Sequence, residues 1–425
     1  MKSLLTPLLL ALVALPARAQ KAPAPKTPTD QRVADLERRL DALSRELESQ
    51  RAGAAMPAAP TEGRFGLAPS ASKVYGAPAG LSIGGYGELL YQGKASTLQD
   101  GTHVGSAKSA DALRMVLYTG YKFSDRIVFN AEIEFEHGGF SDAYPEGEAI
   151  AEFYYLDFLL TKAVNLRAGQ MLVPMGFINE IHEPPTFLGA RRPLVETVLI
   201  PSTWHENGVG LHGDLPGHLS YRVYLMNGLE GARFSAEGIR EGRQGGNKAN
   251  AQSLAWTGRL DWVPTPGVLL GGSFYTGNSN QTGVGPALPT TLWEAHGEYR
   301  AGGWQARGLY TRMTNGAEGV ASLAPGDPAR EVGTRQWGGY LELGYDLLGG
   351  SKQALIPYAR WERLNAQQAV VAGVVATGEQ DQTLVTAGVA YKPIPQIAVK
   401  ADWTRSENRA LTGRDQFSLA LGYTF

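Results

Sequence analysis

Seven basic residues recur along the chain in one kind of setting. Arg114, Arg167, Arg222, Arg259, Arg307, Arg360 and Lys400 each fall on the polar side of a stretch in which apolar and polar residues alternate. Glu132 and Glu134 sit the same way, out of phase with Ile133 and Phe135, and further carboxylates share that parity, among them Glu88, Asp157, Asp261, Glu294, Glu342, Glu362 and Asp402. Guanidinium forks bind carboxylate and phosphate bidentately, so a series of them can hand an anion along a wet wall. The same residues can instead neutralise one another across neighbouring strands, leaving a hydrated wall without a ladder. A second group of titratable residues, Glu180, His182, Glu183, Arg191 and Arg192, is set in an apolar, Pro-containing stretch from Pro174 to Trp204. That composition argues against full exposure, and a long connection of this kind is usually functional. Folded into a lumen, it would present Glu180, His182, Arg191 and Arg192 at a constriction; packed on a rim, it would not.

Catalytic patterns are sparse. His182-Glu183 lacks the second His of a zinc-protease helix, and neither a P-loop nor a Gly-x-Ser-x-Gly stretch is present. With no Cys, thiolate metal sites, disulfide scaffolds and Cys nucleophiles are excluded. The 7 His residues are scattered without ligand spacing, so no catalytic residue, metal or cofactor is expected. A hydrolase that assembles Ser, His and Asp across strands would leave no local motif, and that reading stays open. A formal net charge of -2 supplies no basic surplus for nucleic acid.

The elements that must position these groups change along the chain. Lys2, the apolar stretch from Leu4 to Leu15 and Ala17-Arg18-Ala19 predict a signal peptide over 1–19, too short in its apolar part to span a membrane. A Pro-rich linker over 20–29 follows. Over 30–51, Val33, Leu36, Leu40, Leu43 and Leu47 alternate at spacings of three and four with Glu and Arg on the flanks, which predicts a short coiled-coil helix. An amphipathic helix packed on its own domain is the alternative. Residues 52–80, rich in Ala, Pro and Gly, predict a second linker.

From Leu81 to Phe425 the period becomes 2. Phe417, Leu419, Leu421, Tyr423 and Phe425 alternate with small or polar residues, and the same dyad recurs in Leu254, Trp256, Leu260 and Trp262. Aromatics on one face and charges on the other are the pattern of a lipid-facing sheet around a wet interior; a soluble sandwich reverses it. Charged residues are only 19%, whereas Gly reaches 53, and a mean hydropathy of -0.20 agrees with a polar lumen averaged against an apolar exterior. About sixteen such stretches are separated alternately by short turns and by longer loops. The fold class expected is all-β: an antiparallel transmembrane β-barrel of about 16 strands over 81–425, with a short N-terminal periplasmic coiled-coil helix. Trp293 and Tyr299 before one turn, and Trp304 and Tyr310 after it, share the outward parity that interfacial girdles require.

The terminal FSLALGYTF resembles the assembly signature of bacterial outer-membrane proteins. The stretch VPMGFINEIHEPPTFLGARRPLVETVLIPSTWHENGVGLHG, Val173 to Gly213, is similar to a segment of the phosphate-selective porin O and P family. The resemblance implies a sixteen-stranded trimeric porin with a constricting third loop and a basic pore for anions. The N-terminal helix is similar to that of related porins that take small organic acids. No Lys-rich third loop of the kind specific phosphate binding implies is present. The function expected is passive diffusion of small hydrophilic solutes across the bacterial outer membrane, with a preference for anions such as phosphate or organic acids. Outer-membrane lipid and such solutes are the partners expected, and a homotrimer the assembly. The alternative is a structural anchor tying the envelope together through its periplasmic coiled coil.

Overall fold

The computed structural model describes residues 63–138, 147–349 and 351–425, together with Leu36 and residues 39–41. The signal peptide, the first linker and nearly all of the heptad segment lie outside the described residues; Leu36, Arg39, Leu40 and Asp41 are helical.

Alternation of apolar and polar side chains from residue 80 onward produces sixteen strands: β1 (Gly80–Lys94), β2 (Ala107–Ser124), β3 (Ile127–Glu136), β4 (Glu148–Phe158), β5 (Asn165–Leu172), β6 (His205–Leu215), β7 (Leu219–Asn227) and β8 (Leu254–Thr265), then β9 (Val268–Asn278), β10 (Pro289–Ala301), β11 (Trp304–Asn315), β12 (Arg335–Tyr345), β13 (Ala354–Ala369), β14 (Asp381–Ile394), β15 (Ile397–Asn408) and β16 (Gln416–Thr424). Each pairs antiparallel with its sequence neighbours, and β1 pairs with β16, Leu89 opposite Leu421, so the sheet closes into a barrel. Closure leaves no strand edge unpaired, which is the condition for a sheet surrounded by hydrocarbon. The outward face is apolar: Trp256, Trp262, Trp293, Trp304, Trp361, Trp403, Leu419 and Leu421 are all exposed. Trp293 packs near Tyr310 at one end of the β10–β11 hairpin, and Trp304 near Tyr345 at the other, giving an aromatic pair at each end of the wall. Carboxylates, guanidiniums and small polar groups face inward.

Connections alternate in length. Gly80, Thr424 and the short connections, such as 125–126, 216–218, 266–267 and 302–303, mark one end of the barrel, the turn end. The longer connections, including 95–106, 173–204, 228–253 and 316–334, cluster at the other, the loop end.

Two features depart from the sequence reading. The linker expected over 52–80 does not hold for its described part, 63–79. That segment folds into the turn half of the lumen, with a short helix α1 (Lys73–Gly76) against β1, β2 and β3, and Leu67, Ala71, Val74 and Tyr75 buried. Asn130 donates to Ala71 O at 2.9 Å, Lys122 to Ala77 O at 3.2 Å, and the Tyr75 hydroxyl to Asp157 at 2.7 Å. Small residues that read as linker are what allow the backbone to lie so close to the wall. Val74 seats against Gly120, where a Cβ would stand 2.5 Å from it. The second departure is a bulge between β3 and β4 at Glu132/Ile133. It inserts an extra residue and turns Glu152 inward beside Phe153, against strict alternation.

Candidate pore constriction

The third loop, residues 173–204, enters the barrel and crosses it. A kink at Gly176, in the left-handed region at φ 65, starts the descent; a side chain there would be strained and would press on the Glu196 carboxylate. The loop then runs to the opposite wall. Pro184 sits on Gly422 of β16, where a Cβ would be 2.2 Å from it. Ala190 N donates to Asp402 at 2.7 Å, Lys400 to Gly189 O at 2.9 Å and Lys392 to Pro185 O at 2.7 Å. On the return, a helical turn α2 (Val195–Val198) is fixed by Glu362, which accepts from Val195 N at 3.2 Å. Glu196 accepts from the Tyr340 hydroxyl at 2.6 Å and from Ile178 N at 2.8 Å. Met175, Phe177, Ile178, Leu199 and Ile200 are buried, so the apolar content of the loop is satisfied inside the barrel rather than on its rim.

Of the four loop residues expected at a constriction, only two approach water. Arg191 is exposed, with a single long contact to Gln416 at 3.5 Å, and Arg192 is half-buried, its Nε and Nη2 without a hydrogen bond. Glu180 and His182 are buried against the wall instead. Glu180 pairs with Arg222 at 3.1 Å; burial holds its carboxyl above the ordinary range although Arg222 and Arg259 pull it down. His182 lies 3.2 Å from Glu132. Glu183 accepts from Ala71 N at 3.0 Å, joining the loop to the lumen-seated segment, and burial pushes it up to about 8 against that amide's pull.

The basic series on the strands lies inside the barrel, and each member has a wall or loop partner. Arg114 spans Glu88, Glu134 and Glu136 at 3.0, 2.9 and 2.9 Å. Arg167 pairs with Asp157 at 2.9 Å, stacks over Tyr155 and is covered by Tyr75 of the lumen-seated segment, so it is closed to solutes. Arg222 and Arg259 share Asp261 at 2.7 and 2.8 Å, and Arg259 also donates to Gly176 O. Arg307 pairs with Glu298 at 2.6 Å and lies over the Phe177 ring; Arg360 takes Glu362 and Glu342 at 2.9 and 3.2 Å. Lys400, over the Phe187 ring, is occupied by the loop carbonyl of Gly189. An open ladder of guanidiniums is therefore absent among the described residues; mutual neutralisation across strands is what the register produces.

Two cavities flank the loop. One of about 520 Å³ opens at the turn end, lined by Arg259, Arg300, Arg307, Lys352 and Lys392 against Glu183, Glu298 and Asp346. The other, about 530 Å³, lies toward the loop end between Glu134, Glu136 and Glu148 and a basic group, Arg233, Arg240 and Arg243, from the β7–β8 connection. That group was not visible in the period-2 pattern because it sits on a loop. Four of the histidines, His137, His182, His212 and His296, each meet a carboxylate, at four separate places. The inward parity of His212 and His296 with Asp157 and Asp261 was the signal available for two of these.

No family model matches the chain. An uncharacterised protein of Aquifex aeolicus (strain VF5) is 33% identical over 372 residues, covering 85% of this chain and 83% of that protein. Among solved structures, OmpF of Salmonella typhi in complex with daunomycin matches at a TM-score of 0.54 and 11% identity, over 81% of this chain and 97% of that one. The outer-membrane channel DcaP of Acinetobacter baumannii matches at 0.51 and 11%, over 81% and 97%.

Proposed function

We propose that this chain, which belongs to one family with the uncharacterised Aquifex aeolicus protein and carries the fold of outer-membrane porins, is an outer-membrane channel for passive diffusion of small hydrophilic solutes, with a preference for anions. The observation that carries the anion preference is the turn-end cavity, in which five basic side chains face three acidic ones. One of the three, Glu183, is held largely protonated near neutral pH by burial. Lys352 is exposed there, and Lys392 donates to a carbonyl rather than a carboxylate. Selectivity follows the charges a solute meets at the narrowest path, not the sum over the wall, so Lys352, Lys392 and Arg191, which have no acid partner among the described residues, outweigh Arg259, Arg300 and Arg307, which do.

Conductance and zero-current potential of the purified protein in planar bilayers under a KCl gradient test the reading. The expected result is an anion-selective reversal potential, with current reduced by added phosphate or dicarboxylate. Unselective ohmic steps unaffected by either anion would reduce the proposal to a general porin. A second reading, a structural anchor, is favoured by one observation: residues 63–79 and the third loop together fill much of the lumen. Near-zero conductance with retained cell-wall binding would decide for it.

A further inference from the structure

Where the third loop meets β3 and β4, three potential ligands converge that the sequence holds far apart. His182, Glu132 and Glu152 are buried, and each offers a ligand atom within 4.8 Å of the other two. His182 Nε2 stands 3.2 Å from Glu132 Oε1 and 3.6 Å from Glu152 Oε2. Nitrogen and oxygen ligands about 2.1 Å from a tetrahedral centre are roughly 3.4 Å apart, so these separations fit a shared ion with little movement. The other ring nitrogen of His182, Nδ1, is 3.0 Å from Asn179 O. A carbonyl can only accept, so Nδ1 carries a proton, which leaves Nε2 as the nitrogen that would bind an ion, the arrangement of metal-bound histidines.

The surroundings leave these carboxylates uncompensated. Both oxygens of Glu152 and Oε2 of Glu132 are buried with no hydrogen-bond partner. Of the two neighbouring cations, Arg114 is already divided among Glu88, Glu134 and Glu136, and Arg192, near enough to act on both carboxylates through space, leaves Nε and Nη2 without a hydrogen bond. The Phe153 ring stacks on Tyr118, and Tyr86 meets the His182 ring edge-on, so the group is walled by aromatic side chains. Two carboxylates that share one imidazole and leave three of their four oxygens unbonded in such a place are costly unless a cation or protons neutralise them. We propose that Glu132, Glu152 and His182 form a binding site for one divalent transition-metal ion of the zinc or manganese class, which pins the third loop to the β3–β4 wall. The mixed imidazole and carboxylate set favours that class over calcium or magnesium, which take all-oxygen shells. The bulge in β4 acquires a purpose on this reading: without it Glu152 would face lipid.

The test uses the full-length exported protein in detergent, stripped with a chelator and titrated with Zn²⁺ or Mn²⁺ alone. Bound ion is measured by equilibrium dialysis with elemental analysis, and thermal midpoint is followed in parallel. One ion per chain is expected, with a raised midpoint. Glu152→Gln should weaken binding at least tenfold and abolish the midpoint shift, as should His182→Gln. Glu152 accepts no hydrogen bond in the structure, and Gln can still donate to the neighbouring Glu134, so its Gln variant tests the site even if the His182 variant misfolds. Failure to bind either ion at millimolar concentration, equal binding by wild type and both variants, or binding of Ca²⁺ in preference to both would each overturn the proposal. So would a Glu152→Gln protein that is simply more stable than wild type whether or not metal is present. None of these outcomes depends on channel selectivity.

Discussion

Each arginine of the inward series is answered by an acid on its own strand or the next, and Asp261 shows how tightly. Its carboxylate takes Arg222, Arg259 and His296 at 2.7, 2.8 and 2.9 Å with little exposure to water. Removing one member of such a buried group strands the others and typically costs about 3 kcal/mol. Asp261→Asn should therefore lower the urea midpoint of the barrel clearly. Glu407→Gln, which breaks the exposed Arg405 pair at 2.6 Å, should change it by less than about 0.5 kcal/mol. Equal effects of the two substitutions would show that the lumen is wet enough to screen both alike. The pairing also moves attention for selectivity from the strand arginines to cations that lack an acid partner on the wall, Arg191 and Lys392 among them.

At the scale of elements, the third loop and the segment 63–79 do what the strands alone do not: they narrow the lumen. One of the loop's contacts with the far wall is Pro184 on Gly422, beside the hydrogen bonds that link Pro185, Gly189 and Ala190 with Lys392, Lys400 and Asp402. Gly422→Val would place carbon inside that contact, and overpacking of this kind costs roughly 1–3 kcal/mol, relieved if the loop swings away. A larger single-channel conductance, with the barrel still folded, is expected in planar bilayers. An unchanged step size would mean that this contact does not set the narrowest point. The sequence predicted a loop that folds inward from its apolar and Pro content, and Phe177, Ile178 and Leu199 explain why that inference worked: an apolar segment long enough to reach a cavity will bury there. It placed Glu180 and His182 toward the channel, however, and they are instead held against the wall by Arg222 and Glu132. Which side of a loop faces water depends on the wall it lands on, and no local pattern encodes that.

For the whole molecule, assembly is the open structural consequence of the heptad over 30–51. If that helix joins copies of the chain, deleting residues 30–50 should lower the detergent-corrected sedimentation mass from a trimer toward a monomer, and an unchanged mass would remove the helix from assembly. The barrel itself is legible in the residue pattern. Side chains alternate with a period of 2 in any strand, and lipid outside against water inside writes that period into residue types as local as Phe417-Ser418-Leu419. Strand number, turn and loop ends and the inward face of Arg259 or Glu342 follow from it. What the lumen holds does not follow. Tyr75 on Asp157, Glu183 on Ala71, Ala190 on Asp402 and Glu152 turned in by a single bulge join residues far apart in the chain, through contacts that no repeating pattern announces. The sequence by itself determined the wall, because a wall is a sum of local alternations. Only the tertiary structure decided what fills it, because filling a closed barrel is a matter of which distant surfaces fit.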